Sequence, residues 1–147
     1  MVRAVEREVA IEARPEVVWD FLVDSELAKR WMGVTASLDT RPGGDYRVEV
    51  VPGKVAVGEF VELDPPRRLV WTWGWADNDP VPAGATTIEV VLEPTDEGTL
   101  LRFSHAGLPD EAAVARHAEG WDRYLGRLAA VARGDDPGPD PALRRAA

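Results

Sequence analysis

His105 and His117 are the only histidines in this chain, and there is no cysteine. Imidazole is the side chain whose charge changes near neutral pH, so two brought together could hold a polar ligand group or act as acid and base. Each also has a plainer reading, as a buried ring with both nitrogens satisfied. His105 shares the apolar parity of Leu101 and Phe103, and His117 lies one turn before Trp121 on an apolar stripe. Zinc usually needs three protein ligands; no third one has metal spacing, so no metal is expected. Ser104 adjoins His105, but neighbours on a strand face opposite ways. Ser25 and Ser37 have no evident base, and no catalytic residue is assigned. Glu59 and Glu62 differ in parity, so only one of them can face inward, and a bulge at Gly58 would decide which. Pro42-Gly43-Gly44 lacks the lysine and serine of a phosphate loop. No cofactor is expected.

The second group with chemical potential is aromatic. Six tryptophans must be housed. Trp71, Trp73 and Trp75 alternate along one stretch, and Trp121 and Tyr124 share a helical stripe with His117. Together they predict an aromatic wall between a strand and a helix. Plain core packing is one reading of it. The other is a ligand pocket, because each indole carries an N–H that needs an acceptor, and aromatic walls with a few polar groups characterise small-molecule sites. The candidate ligand-binding residues are therefore Trp71, Trp73, Trp75, His105, His117, Trp121 and Tyr124.

The elements that must position these residues follow from periodicity. Asp110 to about Arg133 repeats apolar residues at spacings of three and four: Val114, His117, Trp121, Tyr124, Leu125, Leu128 and Ala132. Asp110 suits the N-cap, and Gly134 with Pro137 marks the end. Gly120 in mid-helix costs about 1 kcal/mol relative to Ala, which predicts a close neighbour there. Residues 3–12 alternate as a half-buried strand. Pro15 opens a first short helix, and Ser25 is placed to cap a second, Glu26 to Trp31. Strands then follow in meander order through residue 105, separated by turns at Pro42-Gly43-Gly44, Pro52-Gly53, Asp64-Pro65-Pro66 and Asp96-Glu97-Gly98, and by a loop over 76–84. The fold class is α+β: a curved antiparallel sheet of about six to seven strands wrapped around a long C-terminal helix, with two short helices after the first strand.

At 147 residues the chain reads as one domain over 1–133, and the Pro- and Asp-rich 134–147 is expected to be a disordered tail that adds little stability. A net charge of −9 disfavours a phosphate backbone as partner. There is no apolar leader and no run of membrane-spanning length, so a soluble, cytoplasmic protein is the expectation.

Several motifs stand in a recognisable order: Pro15-x-x-Val18-Trp19, Pro42-Gly43-Gly44, Pro65-Pro66-x-x-Leu69, Trp71-x-Trp73, and Gly120-Trp121-x-x-Tyr124-Leu125. With the text around them, from about residue 3 to 133, they resemble the Hsp90-ATPase-activator homology family of the START-like, or Bet v 1-like, helix-grip (SRPBCC) superfamily. That resemblance implies an internal cavity between sheet and helix. It leaves three functions open: binding of a hydrophobic or aromatic small molecule, a chaperone-partner module related to Hsp90 co-chaperones, or a cyclase- or hydrolase-type enzyme on an aromatic or polyketide-like substrate acting through His105 or His117. Small-molecule binding is the leading reading, and turnover is not expected.

Overall fold

The computed structural model describes residues 3–146, with side chains described for residues 3–143. Strand β1 (Ala4–Ile11) is followed by helices α1 (Pro15–Val23) and α2 (Ser25–Ala28). Six more strands follow: β2 (Thr35–Leu38), β3 (Asp45–Val51), β4 (Lys54–Asp64), β5 (Arg68–Trp73), β6 (Thr86–Thr95) and β7 (Gly98–Ala106). Helix α3 (Glu111–Ala132) and the short α4 (Pro141–Ala146) complete the chain. All strand pairings are antiparallel, in the order β1-β7-β6-β5-β4-β3-β2. The curved sheet and the long helix form the expected α+β helix-grip architecture.

Alternation explains the strands. In β6, Thr86, Ile88, Val90 and Leu92 are buried while Thr87 is exposed; in β7, Leu101, Phe103 and His105 are buried. These inward rows meet the stripe of α3, where His117, Trp121, Tyr124, Leu125 and Leu128 are buried. Leu128 is fully enclosed. Asp110 caps α3 by accepting from the Ala113 amide, and Gly134, at φ 97°, lets the chain leave it. The outer face of the sheet is a lattice of ion pairs, including Arg68 with Glu62 and Glu89, and Arg102 with Glu8 and Glu93.

Four sequence expectations change. Helix α2 is capped by Asp24, whose Oδ1 accepts from the amides of Glu26 and Leu27; the Ser25 hydroxyl instead accepts from the Leu38 amide, tying α2 to β2. The helix also ends at Ala28 rather than Trp31. Gly58 is not a bulge. It pairs in register with Tyr46, and a Cβ there would lie 1.8 Å from the Thr72 carbonyl oxygen. The irregularity falls between Phe60 and Glu62, so Val61 is the extra residue. That bulge turns Glu62, which shares its parity with inward Phe60, to the outer face beside Arg68, and Glu59 is exposed. Neither carboxylate faces the cavity.

The close approach at Gly58 gives a test of the packing of β4 on β5. Gly58→Ala should lower stability by about 1–3 kcal/mol in a urea melt, the usual cost of overpacking. An unchanged midpoint would contradict the contact.

Within the segment expected to be a tail, Asp140 is only 7% exposed. Ala147 and the side chains of 144–146 lie outside the described residues.

Candidate functional site: an aromatic cavity between sheet and helix

Strand β5 delivers Trp71 and Trp73 to the inner face. Trp75 lies beyond the strand, held by single bridges to Ala56 and Pro82. It keeps the parity of the row and meets Trp73 edge-on, with ring centroids 5.3 Å apart. Across the gap, Trp121 packs on Trp73 at 5.1 Å and on Phe103 at 4.6 Å. Of the expected wall, Trp75 and Trp121 thus both pack on Trp73.

A cavity of about 70 Å³ remains beside this wall, lined by Met32, Val50, Trp73, Trp75, Arg116, His117, Gly120, Trp121 and Tyr124. Five of the seven predicted ligand-binding residues border it. His105 is fully buried behind Trp121, and Trp71 lies deeper, stacked on Tyr46 with centroids 5.3 Å apart. Gly120 has a role opposite to the one expected. A Cβ there would meet nothing within 4 Å, so the glycine leaves the cavity wall open and does not relieve a close contact.

The imidazoles are hydrogen-bonded on both sides. His117 donates from Nδ1 to the Ala113 carbonyl at 2.8 Å, and its Nε2 accepts the Trp75 indole N–H at 3.1 Å. His105 accepts the Trp121 indole N–H at Nδ1, 3.0 Å away. Its Nε2 lies 2.7 Å from the Thr86 hydroxyl, which donates to the Trp73 carbonyl and so accepts from the ring. Each histidine is thereby fixed in one neutral tautomer. Burial pushes His105 down to about 3, helped by the neighbouring His117, whose ring centre is 5.1 Å away. His117 is lowered mainly by burial, against its bond to Ala113. A general base needs an unoccupied lone pair at the substrate. Here both lone pairs hold indoles, so the arrangement suits architecture better than proton transfer.

Two buried indoles lack an acceptor. The Nε1–H groups of Trp71 and Trp73 are buried and have no acceptor in hydrogen-bonding geometry. Such orphaned donors are rare in interiors and mark places where a further acceptor would be welcome.

The rim is ionic. Asp79, in the 76–84 loop, has its side chain 5% exposed and accepts from both terminal nitrogens of Arg116, at 2.9 and 3.2 Å, from Lys54 at 3.1 Å and from the Val81 amide. The Arg116 bond, with Val81 and Lys54, holds its carboxyl well below the usual range although burial opposes this. Lys54 also stands 4.7 Å above the Trp75 ring. The loop is thus latched to α3 and β4 beside the cavity. Among the described residues no cluster of three His, Cys, Asp or Glu could hold a metal, and no helix is long and apolar enough to cross a membrane.

Residues 12–133 match the family model described as Activator of Hsp90 ATPase homolog 1-like protein. The chain belongs to this AHSA1 family. An AHSA1-like protein of Rhizobium etli is similar in structure, with 43% identity, a TM-score of 0.78, and coverage of 96% of this chain and 88% of that one. A Mesorhizobium loti protein has 25% identity and a TM-score of 0.80, covering 90% and 98% of the two chains. An Hsp90 activator of Plasmodium falciparum shares the fold at 21% identity and a TM-score of 0.72, covering 87% and 94%. No curated protein matches the chain.

Sequence reasoning missed several residues that complete the site of this AHSA1-like chain. Thr86 could have been found, because it shares parity with Ile88 and lies opposite Trp73 in the β5–β6 register. Met32 and Val50 border the cavity from elements distant in sequence. Asp79 sits in a loop that no periodicity describes. Asp140 comes from the tail: its Oδ2 accepts the Tyr124 hydroxyl at 2.6 Å, and burial together with this carboxylate pushes the phenol up.

Proposed function

We propose that this protein binds a small, mainly apolar molecule against the Trp73–Trp121 wall. The observation that carries the reading is the cavity itself: almost wholly apolar, bordered by four large aromatic rings, and kept open at Gly120. At about 70 Å³ it is about half the roughly 150 Å³ of a cavity that takes benzene and well below the roughly 300–1,000 Å³ of sites for drug-sized ligands; it is open on one side, so a single aromatic ring enters it in part. The locked histidines argue for binding over turnover.

The test uses toluene followed by NMR. Toluene should shift the indole N–H signals of Trp73 and Trp121 saturably. Gly120→Leu should fold, since Leu is the better helix former by about 0.8 kcal/mol, yet abolish the effect by filling the space. Absence of saturable shifts in the wild type, or equal binding in Gly120→Leu, refutes the reading.

Family membership favours a second reading, a chaperone-partner module, since the family is named for an activator of the Hsp90 ATPase and the Plasmodium relative is an Hsp90 activator. Protein-docking surfaces usually expose an apolar patch. Among the described residues, the only exposed large aliphatics are Val34 and Val61, which supports the small-molecule reading over this one. Stimulation of an Hsp90 ATPase by the purified protein would reverse that order.

A further inference from the structure

The buried end of the tail says something about the ligand. Among the described residues, Asp140 is the one tail carboxylate taken inside. Its Oδ2 is 2.6 Å from the Tyr124 hydroxyl, within the range of charge-assisted O–H···O⁻ bonds. Tyr124 is a wall residue of the aromatic cavity. A niche of about 190 Å³ that shares Met32 and Val50 with the cavity is bordered by Lys29, Arg127, Pro139, Asp140 and Leu143; Lys29 is paired with Glu26. Arg127 donates to the carbonyls of Trp31 and Pro137, and no ion pair joins it to a carboxylate among the described residues. Asp140 thus joins the two spaces: it accepts from the phenol that lines the cavity and borders the niche that Arg127 also lines.

The tail is held there lightly. Besides the Tyr124 bond, its links from residue 137 onward to the body include a 3.5 Å contact of Arg127 with the Pro137 carbonyl; Asp140 otherwise caps its own turn through the Ala142 amide. A proline-rich segment with few polar links to the body among the described residues opens at low cost.

We infer that the Tyr124–Arg127 end of the cavity is a carboxylate subsite, that the ligand is a small aromatic acid, and that Asp140 occupies the subsite in the ligand's absence. This rests on the small-molecule reading above. The ring of the acid lies against Trp73 and Trp121, and its carboxylate displaces Asp140 from the Tyr124 hydroxyl. The tail then acts as a competitor in cis, and its release reports occupancy.

Calorimetric titration with phenylacetate and with phenylacetamide tests this, with toluene as the neutral control. Asp140→Ala should bind phenylacetate about tenfold or more tightly than the wild type, the scale of one hydrogen bond to a charged group, and phenylacetamide about equally. Adding Tyr124→Phe to Asp140→Ala should erase the preference for the acid. In the wild type, phenylacetate should move the Ala142 and Leu143 amide signals, which phenylacetamide leaves in place; this readout does not depend on any variant folding. If toluene binds but Asp140→Ala gains nothing for the acid and the tail signals do not move, the carboxylate subsite is wrong and the cavity reading survives. If toluene does not bind either, both fall.

Discussion

Trp121→Ala should lower stability by about 3–5 kcal/mol, among the largest single losses available in this chain. The ring is 3% exposed and packs on Trp73, Phe103 and His105. Truncation removes that area from the core and leaves a void between sheet and helix. It also strips His105 Nδ1 of its donor, and an unsatisfied buried acceptor costs about 1–3 kcal/mol by itself. Trp121→Phe separates the two contributions: it keeps most of the packing, so its loss should be near that smaller figure. Urea melts followed by far-ultraviolet circular dichroism measure both. A loss below about 1 kcal/mol for Trp121→Ala would show that the α3 stripe is not the core of this fold.

Acid should weaken the fold well before its carboxylates titrate. His105 and His117 are held neutral by burial, so their folded-state pKa values lie below those of the unfolded chain, His105 at about 3. A group lowered in this way binds more protons when unfolded once the pH drops below the ordinary histidine value. Stability is therefore fully present above about pH 6.5 and falls below it, by about 1.4 kcal/mol per pH unit for each histidine that stays neutral in the fold. His105 alone should contribute a loss of about 2 kcal/mol between pH 7.5 and pH 5. Asp79, held low by Arg116, protects the fold down to the carboxylate range and does not offset this slope. The measurement is unfolding free energy against pH for the wild type and His105→Gln. The variant should be less stable at pH 7.5, having lost its place between Trp121 and Thr86, and should show a shallower slope by about one proton. A flat wild-type profile from pH 7.5 to 5 would mean that the histidines are not locked neutral.

The two histidines are the residues in this sequence most able to do chemistry, and they do come together. What they do there depends on partners that periodicity does not name. His117 finds Trp75 across 42 positions of chain, and His105 finds both Trp121 and Thr86. A lone pair that looks available in a sequence is occupied in the fold. The orphaned donors, the Nε1–H groups of Trp71 and Trp73, are likewise invisible until the surroundings of each ring are known.

Alternation and the three-four repeat determined which side chains point inward, and so the strands, the long helix and the aromatic wall could be read directly from the chain. That works because burial is decided residue by residue, by the period of the local backbone. Tertiary structure alone decided matters that turn on register and on contacts between distant segments. One extra residue at Val61 sends Glu62 outward. Gly120 opens a cavity because nothing from the sheet reaches it. Asp140 is buried because one phenol on α3 faces the path of the tail. Direction relative to the backbone is a local property; the identity of a hydrogen-bond partner is not, since it depends on how bulges and turns accumulate along the whole sheet.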